Sequence, residues 1–546
     1  MTTSRAKFDT IIVGAGFAGL YAVYKMRRIG LSVRAFERGE SVGGVWYWNR
    51  YPGARCDVES LQYSYSFDPE LEKAWVWPER YSPQPDILRY AEFVADRYDL
   101  KKDIQFGTEV HGAAYDEAAN RWIVRTSAGE FECQYLIMAS GGLSTTQVPT
   151  FPGQEDFQGP VLVPGAWPHD PVDLAGKNVA VVGTGSSAIQ IIPAVAKIAN
   201  QVTVFQRTPN FSVPMRNKPL TPEARKAWLD DLQGNREKQK KSRAGQIFEI
   251  NDRRACEMTP EEREAEMARR WEGGSPNFTR AFADFLTDLT ANGYAAEFVH
   301  RKIKEIVKDP ETAEKLCPKD HPIGAKRICV DTDYYETYNR PNVDLVDLRS
   351  EPLEHVSKHG IVTSRREYPA DVLILATGYD AVTGPLLAID IRGAGGLALR
   401  EAWAHGPRAY LGLMSAGFPN LFMITGPGSP SVSVNVICAI EQHVDFVADI
   451  VNEMRSRGAD RIEPDVEAQD DWVELVRQIA DSTLFPKANS FYMGANIPGK
   501  PRVFLLFGGG LEDYTERCRR IAQNGYEGFR ITAVEAARPK GGLERA

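Results

Sequence analysis

Two glycine-rich turns carry the clearest chemistry in this sequence. Gly14-Ala-Gly16-Phe-Ala-Gly19 follows an apolar run from Phe8 to Val13 and opens a helical pattern from Leu20 to Arg28. The next strand pattern, Ser32 to Phe36, ends in Glu37. At this spacing Gly14 permits the tight turn and Gly16 lets backbone N–H groups approach a pyrophosphate. Gly19 allows close helix–strand packing, and Glu37 is placed to accept hydrogen bonds from a ribose. The pattern returns in the strand Lys177–Val182, the turn Gly183-Thr184-Gly185-Ser186-Ser187-Ala188 and the strand Gln201–Phe205, with alanine for the third glycine. This second unit ends in Gln206-Arg207-Thr208 instead of an acid. A guanidinium and a hydroxyl there suit a 2′-phosphate, so NADPH is expected over NADH; the alternative is a solvated arginine at a strand end.

A third stretch follows directly on the first unit. Gly43 to Asp57 reads Gly-Gly-Val-Trp-Tyr-Trp-Asn-Arg-Tyr-Pro-Gly-Ala-Arg-Cys-Asp: large aromatics, two arginines and a terminal carboxylate between glycines that allow close backbone approach. Taken alone it is either an aromatic corner of a core or a wall built against a ligand. The dipeptide Lys326-Arg327, taken alone, reads as two surface cations.

The elements that must hold these groups follow from length and pattern. The chain has 546 residues, and a length prior suggests about three or four domains. Its 43% hydrophobic and 25% charged content is that of an ordinary globular protein, and a net charge of −8 argues against a nucleic-acid partner. No apolar run reaches the roughly 18 residues of a membrane span, and the polar start, Met1 to Phe8, leaves no room for a signal peptide. Seven cysteines from Cys56 to Cys518 without a Cys-x-x-Cys argue against a disulfide framework, a metal site or a redox dithiol, so a cytoplasmic location is expected. Nothing suggests a self-complementary surface, and a monomer is expected.

The expected fold is α/β, with two doubly wound Rossmann-like dinucleotide-binding domains and a helical insertion. Residues 1–142 begin the FAD domain, with a helix from Tyr81 to Tyr98 and strands at Ile104–Val110, Arg121–Thr126 and Phe131–Ala139. A Pro- and Gly-rich linker spans 143–175, and 176–218 begin the NADP domain. Residues 219–322 form the insertion, with helices at Glu261–Trp271 and Ala281–Leu289 and a solvated charge run at Arg236–Arg243. Residues 323–376 complete the NADP domain, and 377–546 complete the FAD domain and the cleft wall.

Trp46, Tyr51-Pro52-Gly53 and Asp57, together with Asp371–Tyr379, resemble the fingerprints of Baeyer–Villiger monooxygenases, a class of flavin monooxygenases. The likeness covers essentially the whole chain. It is nearest to the phenylacetone and steroid monooxygenase branch through Gly43–Asp57, Gln206-Arg-Thr-Pro and Gly494-Ala-Asn-Ile-Pro-Gly-Lys-Pro-Arg502. Two departures stand out. Phe157, Gly159, Trp167 and Pro168 match the interdomain signature, but its histidine position holds Val163; Phe491 stands where close relatives carry a tryptophan.

The resemblance implies an NADPH- and O2-dependent flavoprotein that converts ketones to esters or lactones through a C4a-peroxyflavin, with sulfoxidation as a further activity. It implies Arg327 as the catalytic cation, paired and oriented by Asp57. Carried over for FAD are Gly14, Gly16, Gly19, Glu37, Val45, Trp46, Asp57, Tyr63 and Val110. For NADPH they are Arg55, Gly183, Thr184, Gly185, Ser186, Ser187, Ala188, Arg207, Thr208, Lys326, Arg327 and Phe491. Ser431, Val432, Ser433 and Val436 occupy the position of a substrate-lining loop. Trp46 and Tyr63 have the alternative of being core aromatics. Competing readings are an N- or S-oxygenating flavin monooxygenase, a weakly coupled NADPH oxidase, to which Val163 points, and a nucleotide-sensing scaffold.

Overall fold

Short β-branched runs build a mixed sheet with a parallel centre and a second, wholly parallel one, which is why their strands read as apolar rather than alternating. The computed structural model describes residues 5–533; residues 1–4 and 534–546, the outer ends of the first and last expected segments, lie outside it. Strand β1 (Ala6–Val13) leads into helix α1 (Phe17–Arg28) and strand β2 (Val33–Phe36). β1 pairs in parallel with β2 on one side and with Gly129–Met138 on the other, so Val13 is flanked by Phe36 and Met138. The glycine turn therefore leaves the sheet at the carboxyl ends of three parallel strands. Among the described residues this sheet has eight strands, extended by the antiparallel pairs 110–116 with 121–126 and 121–126 with 129–138.

The second sheet is wholly parallel and five-stranded among the described residues. Its order is Val343–Asp347, then β4 (Gln201–Gln206), β3 (Asn178–Val182), Val372–Leu375 and Val161–Leu162. Helix α2 (Ser186–Ala196) crosses between β3 and β4, burying Ile189, Ile191 and Ile192. The fold is the expected α/β pair of doubly wound units. Helix α3 (Val436–Ser456) packs on α1, where Asp445 takes both the Tyr21 hydroxyl (2.8 Å) and the Lys25 ammonium (2.6 Å). No described helix is long and apolar enough to cross a membrane, and all seven cysteines are free.

Four local expectations are corrected. The strand expected over Ile104–Val110 stops at Gln105; Gly107 turns the chain at φ +59°, and a separate strand begins at Val110. The helix expected from Tyr81 begins at Gln84, because Pro83 and Pro85 confine it to starting there. The helix expected over Ala281–Leu289 is instead irregular, and the helix begins at Leu289, where the Asp288 carboxylate accepts the Ala291 N–H at 2.8 Å.

The last correction concerns charge. Arg236 is not on a solvated face. Its side chain is 7% exposed and pairs with Glu72, 5% exposed, at 2.5 Å; it also donates to Gln239 Oε1 (2.7 Å) and Ser64 Oγ (2.8 Å). Charge periodicity cannot distinguish a helix face in water from one laid on another segment. Arg236→Met leaves Glu72 buried without its cation and is expected to cost about 3–5 kcal/mol in chemical denaturation. Adding Glu72→Gln should recover part of that loss.

Candidate active site

The first glycine turn is built by close approach. Gly14 sits at φ +101°, and a Cβ on Gly19 would lie 2.0 Å from the Gly14 carbonyl oxygen, so only glycine lets α1 start this near the sheet. No side chain caps α1 or α2, which leaves their first N–H groups free for an anion. Glu37 is buried at the end of β2. Its carboxylate accepts the Ala15 and Gly39 N–H groups, both at 2.8 Å, and keeps about two further acceptor sites. In the second turn a Cβ on Gly185 would meet nothing within 4 Å: the backbone there is open to a ligand. These features fit two dinucleotides.

A continuous cleft of about 650 Å³ joins the two turns. It gathers Gly14, Gly16, Glu37, Val45, Trp46, Asp57, Tyr63 and Val110 on one side. Arg55, Gly185, Ser186, Ser187, Lys326, Arg327 and Phe491 meet them, with Val432 and Val436. Gly19, Gly183, Thr184 and Ala188 belong to the turns but do not line the cleft, and Thr184 Oγ1 donates to the Thr208 carbonyl at 2.8 Å. Of the expected substrate loop, Ser431 and Ser433 do not line the cleft: Ser431 is fully buried, and Ser433 Oγ donates to the Pro430 carbonyl at 2.6 Å. Val434 takes their place on the wall.

The aromatic loop is held from below and from across. Trp46 Nε1 donates to the Tyr63 hydroxyl at 3.0 Å. The Tyr51 hydroxyl donates to Gln190 Oε1 on α2 (3.0 Å), and Gln190 Nε2 donates back to the Arg55 carbonyl (3.0 Å). A Cβ on Gly53 would sit 2.4 Å from the Gln190 carbonyl oxygen, so the loop and α2 touch backbone to backbone. The Arg55 guanidinium is itself paired with Glu79 at 2.5 Å. Gln190 carried no signal in the sequence beyond its place on an amphipathic helix.

At the end of this loop Asp57 meets Arg327. Nε donates to Oδ2 at 2.8 Å and Nη2 to Oδ1 at 2.7 Å, while Nη1 donates to the Val432 carbonyl at 2.8 Å. The side chains are 23% and 32% exposed, so the pair faces the cleft rather than the solvent at large. Burial works against the Arg327 charge, but the Asp57 carboxylate and then the Tyr492 hydroxyl outweigh it and hold the guanidinium above its ordinary range. Tyr492 is a site residue that sequence reasoning missed, one step from Phe491.

The expected 2′-phosphate group is partly assembled. Lys326 is pulled down by burial, supported by Asp320, and pulled down further by Arg207 and Arg349, so the three cations sit within reach of one another's fields. Arg207 itself is exposed and, like Thr208, stands outside the main cleft. Arg349, also unforeseen, donates to Thr208 Oγ1 at 3.3 Å and to Asp320 at 3.0 Å. Register explains it: Asp347 pairs in parallel with Gln206, which carries Arg349 to Thr208 across 141 positions of sequence.

Comparison with known proteins decides the family. A family model described as pyridine nucleotide-disulphide oxidoreductase matches residues 11–263. A Baeyer–Villiger monooxygenase from Pseudooceanicola batsensis is 44% identical over 532 residues, 96% of both chains. The chain belongs to the Baeyer–Villiger monooxygenase family. The phenazine N-monooxygenase PhzNO1 of Lysobacter antibioticus is 41% identical, covering 96% of this chain and 97% of its own. Among solved structures, an oxidised steroid monooxygenase bound to NADP superimposes with a TM-score of 0.93 at 49% identity, covering 97% of this chain and all of that one. OTEMO in complex with FAD and NADP gives 0.93 at 38% identity over the same shares.

Val163, the expected departure from the interdomain signature, has apolar surroundings: it packs with Phe151 and Phe157 against the core of the second sheet. The His169 ring lies 4.5 Å from that of Tyr47 and 5.8 Å from that of Trp48 on the aromatic loop.

The segment that carries Lys326-Arg327 is pinned by Cys329–Asp331, which pairs in parallel with Ser212–Pro214. Asp331 is buried and accepts the Ser212 hydroxyl (2.5 Å) and the Tyr334 N–H (3.0 Å), and burial pushes its carboxyl up to about 7. A carboxyl raised in the folded state binds its proton more tightly there, so its stabilising effect is present at pH 4 and is lost as pH rises through 7. The unfolding free energy should therefore fall over that interval. Asp331→Asn should flatten this part of the pH profile in urea denaturation.

Proposed function

We propose that the chain seats FAD on the Gly14–Gly19 turn, with Glu37 on its ribose, and NADPH on the Gly183–Ala188 turn, and that it oxygenates ketones to esters or lactones with O2. The bidentate Asp57–Arg327 pair, set in the cleft where the two turns converge, carries this reading. The division into FAD and NADP segments at 142, 175, 218, 322 and 376 belongs to the same proposal, supported by the two sheets. The bound flavin, reduced by NADPH, supplies the activated oxygen.

Arg327 is the residue that serves the oxygenation. Its guanidinium cannot lose its proton near neutral pH, so it offers N–H donors to a negative oxygen at every stage without itself titrating. Asp57 engages Nε and one N–H of Nη2, and Val432 engages one of Nη1. Of five N–H donors, the remaining one on each terminal nitrogen is left for Tyr492 and for the cleft. Trp46, Tyr63, Phe491 and Val436 make the surrounding wall poor in water. Lys326, Arg207, Thr208 and Arg349 form the group that prefers a 2′-phosphate.

A second reading comes from the likeness to a phenazine N-monooxygenase, which would place N-oxygenation on the same scaffold. The products separate the two. Purified, FAD-loaded protein is expected to consume NADPH faster when phenylacetone is added and to form the corresponding ester. Formation of hydrogen peroxide alone across a ketone panel would overturn the ketone reading, and N-oxide from aromatic amines without ester would replace it. Arg327→Ala is expected to keep NADPH-driven flavin reduction in stopped flow while ester formation falls about 100- to 1000-fold, the scale of one preorganised charge. Lys326→Ala should raise the KM for NADPH and leave that for NADH nearly unchanged.

A further inference from the structure

The imidazole of His443, on α3, is fully buried. Its Nδ1 accepts the Thr425 backbone N–H at 2.9 Å, and its Nε2 is buried without a partner. An acceptor at Nδ1 sets the tautomer, so the ring proton sits on Nε2 where no acceptor meets it. Burial pushes the imidazole down to about 3, so the ring stays neutral and keeps its acceptor. The residue it holds is also under constraint. Thr425 sits at φ +57°, in the left-handed region that a β-branched residue rarely enters. The chain is fixed on either side of it: the Ile424 N–H donates to the Met138 carbonyl at 2.9 Å, and a Cβ on Gly426 would lie 2.4 Å from the Gly412 carbonyl oxygen. A buried donor without an acceptor and a threonine in a left-handed bend are both unfavourable. They meet in one hydrogen bond at the wall of the cleft, which Thr425 lines.

Register places Thr425 along the edge of the first sheet. Phe36, Val13 and Met138 stand side by side, and Leu421–Met423 pairs beyond them with Met423 opposite Met138. The strands therefore end, in order across the sheet, at Glu37, Gly14, Ala139 and Thr425. A dinucleotide with its ribose on Glu37 and its diphosphate on the Gly14–Gly19 turn extends along this edge, away from Glu37 and toward Thr425. The Thr425 hydroxyl makes no hydrogen bond among the described residues and is not sealed in the core, so it is open to the cleft. Val436 and Ile440, both on the cleft wall, and then His443 follow at helical spacing on one face of α3. The same helix face thus lines the cleft and grips the bend that carries the hydroxyl.

We propose that Thr425 donates its hydroxyl to the polar half of the FAD ring, and that His443 is the positioning residue that holds Thr425 in the bend required for it. This rests on the seating of FAD proposed above. The reduced ring carries more negative charge on that half, so a hydroxyl donor there stabilises the reduced form over the oxidised one. The test uses the FAD-loaded protein and reads the flavin itself. Thr425→Val keeps the shape of the side chain and removes the hydroxyl. It should lower the flavin midpoint potential by about 30 mV, the shift made by a tenfold change in a two-electron equilibrium, and displace the visible absorption bands.

His443→Leu should shift the potential in the same direction, and His443→Asn, whose carbonyl can stand in for Nδ1, should restore most of it. A His443→Leu protein that loses stability in urea yet keeps the parent potential and spectrum would reduce His443 to a packing role and overturn its part. An unchanged potential in Thr425→Val would overturn the hydroxyl contact. Should His443→Leu not fold, Thr425→Val leaves the core intact and decides the contact, and a parent-like potential in His443→Asn supports the positioning where a lowered one overturns it. Glu37→Ala separates the two readings, because it should release FAD more readily whatever happens at Thr425. FAD retention unchanged in that variant would overturn the seating on which the inference rests.

Discussion

The Asp57–Arg327 ion pair is the contact on which the cleft depends. Three segments far apart in sequence end on one guanidinium: the aromatic loop through Asp57, the strand approach at Arg327, and the 431–433 turn through the Val432 carbonyl. A bidentate, charge-assisted pair fixes direction as well as distance, which a single ammonium would not. Its partial exposure is also significant. Buried fully, the two charges would have to compensate a large desolvation cost by themselves; facing a cleft, the same pair keeps donors free for something that arrives.

What surrounds the pair is arranged in the same sense. The short helix Val45–Trp48 and Tyr63 supply apolar surface with polar ends already engaged, as Trp46 Nε1 is by the Tyr63 hydroxyl. Electrostatic interactions strengthen where water is excluded, so the aromatic wall amplifies Arg327 without contacting its charge. The second unit contributes cations on its outer side, Lys326 with Arg207 and Arg349. A chain with a net charge of −8 thus places Arg55, Lys326 and Arg327 on the wall of one cavity.

The glycine turns, Glu37 and the parallel sheets were legible because their signals are local: a β-branched run, a turn that tolerates no Cβ, and an acid at a fixed interval. Boundaries failed where proline or a capping aspartate overrode the apolar pattern, as at Gln84 and Leu289. Contacts that depend on register or docking were not legible. Arg349 reaches Thr208 only because two strands align, Gln190 meets the aromatic loop only because two units pack, and Arg236 is buried only because Glu72 lies opposite. Ser431 and Ser433 illustrate a subtler limit: a loop can be correctly placed at a cleft while alternate residues turn into the protein, leaving Val432, Val434 and Val436 on the wall.

The docking of Gly53 against Gln190 has a consequence for how such a protein can be recombined. The aromatic loop is continuous in sequence with the first glycine turn, yet its hydrogen bonds at Tyr51 and Arg55 are made to α2 of the second unit. Modular exchange drawn along chain order would cut between a loop and the surface it is moulded on. The inheritable module is spatial, comprising 43–57 with 186–196, and grafts from related monooxygenases would have to move both pieces together to keep Asp57 aimed at Arg327.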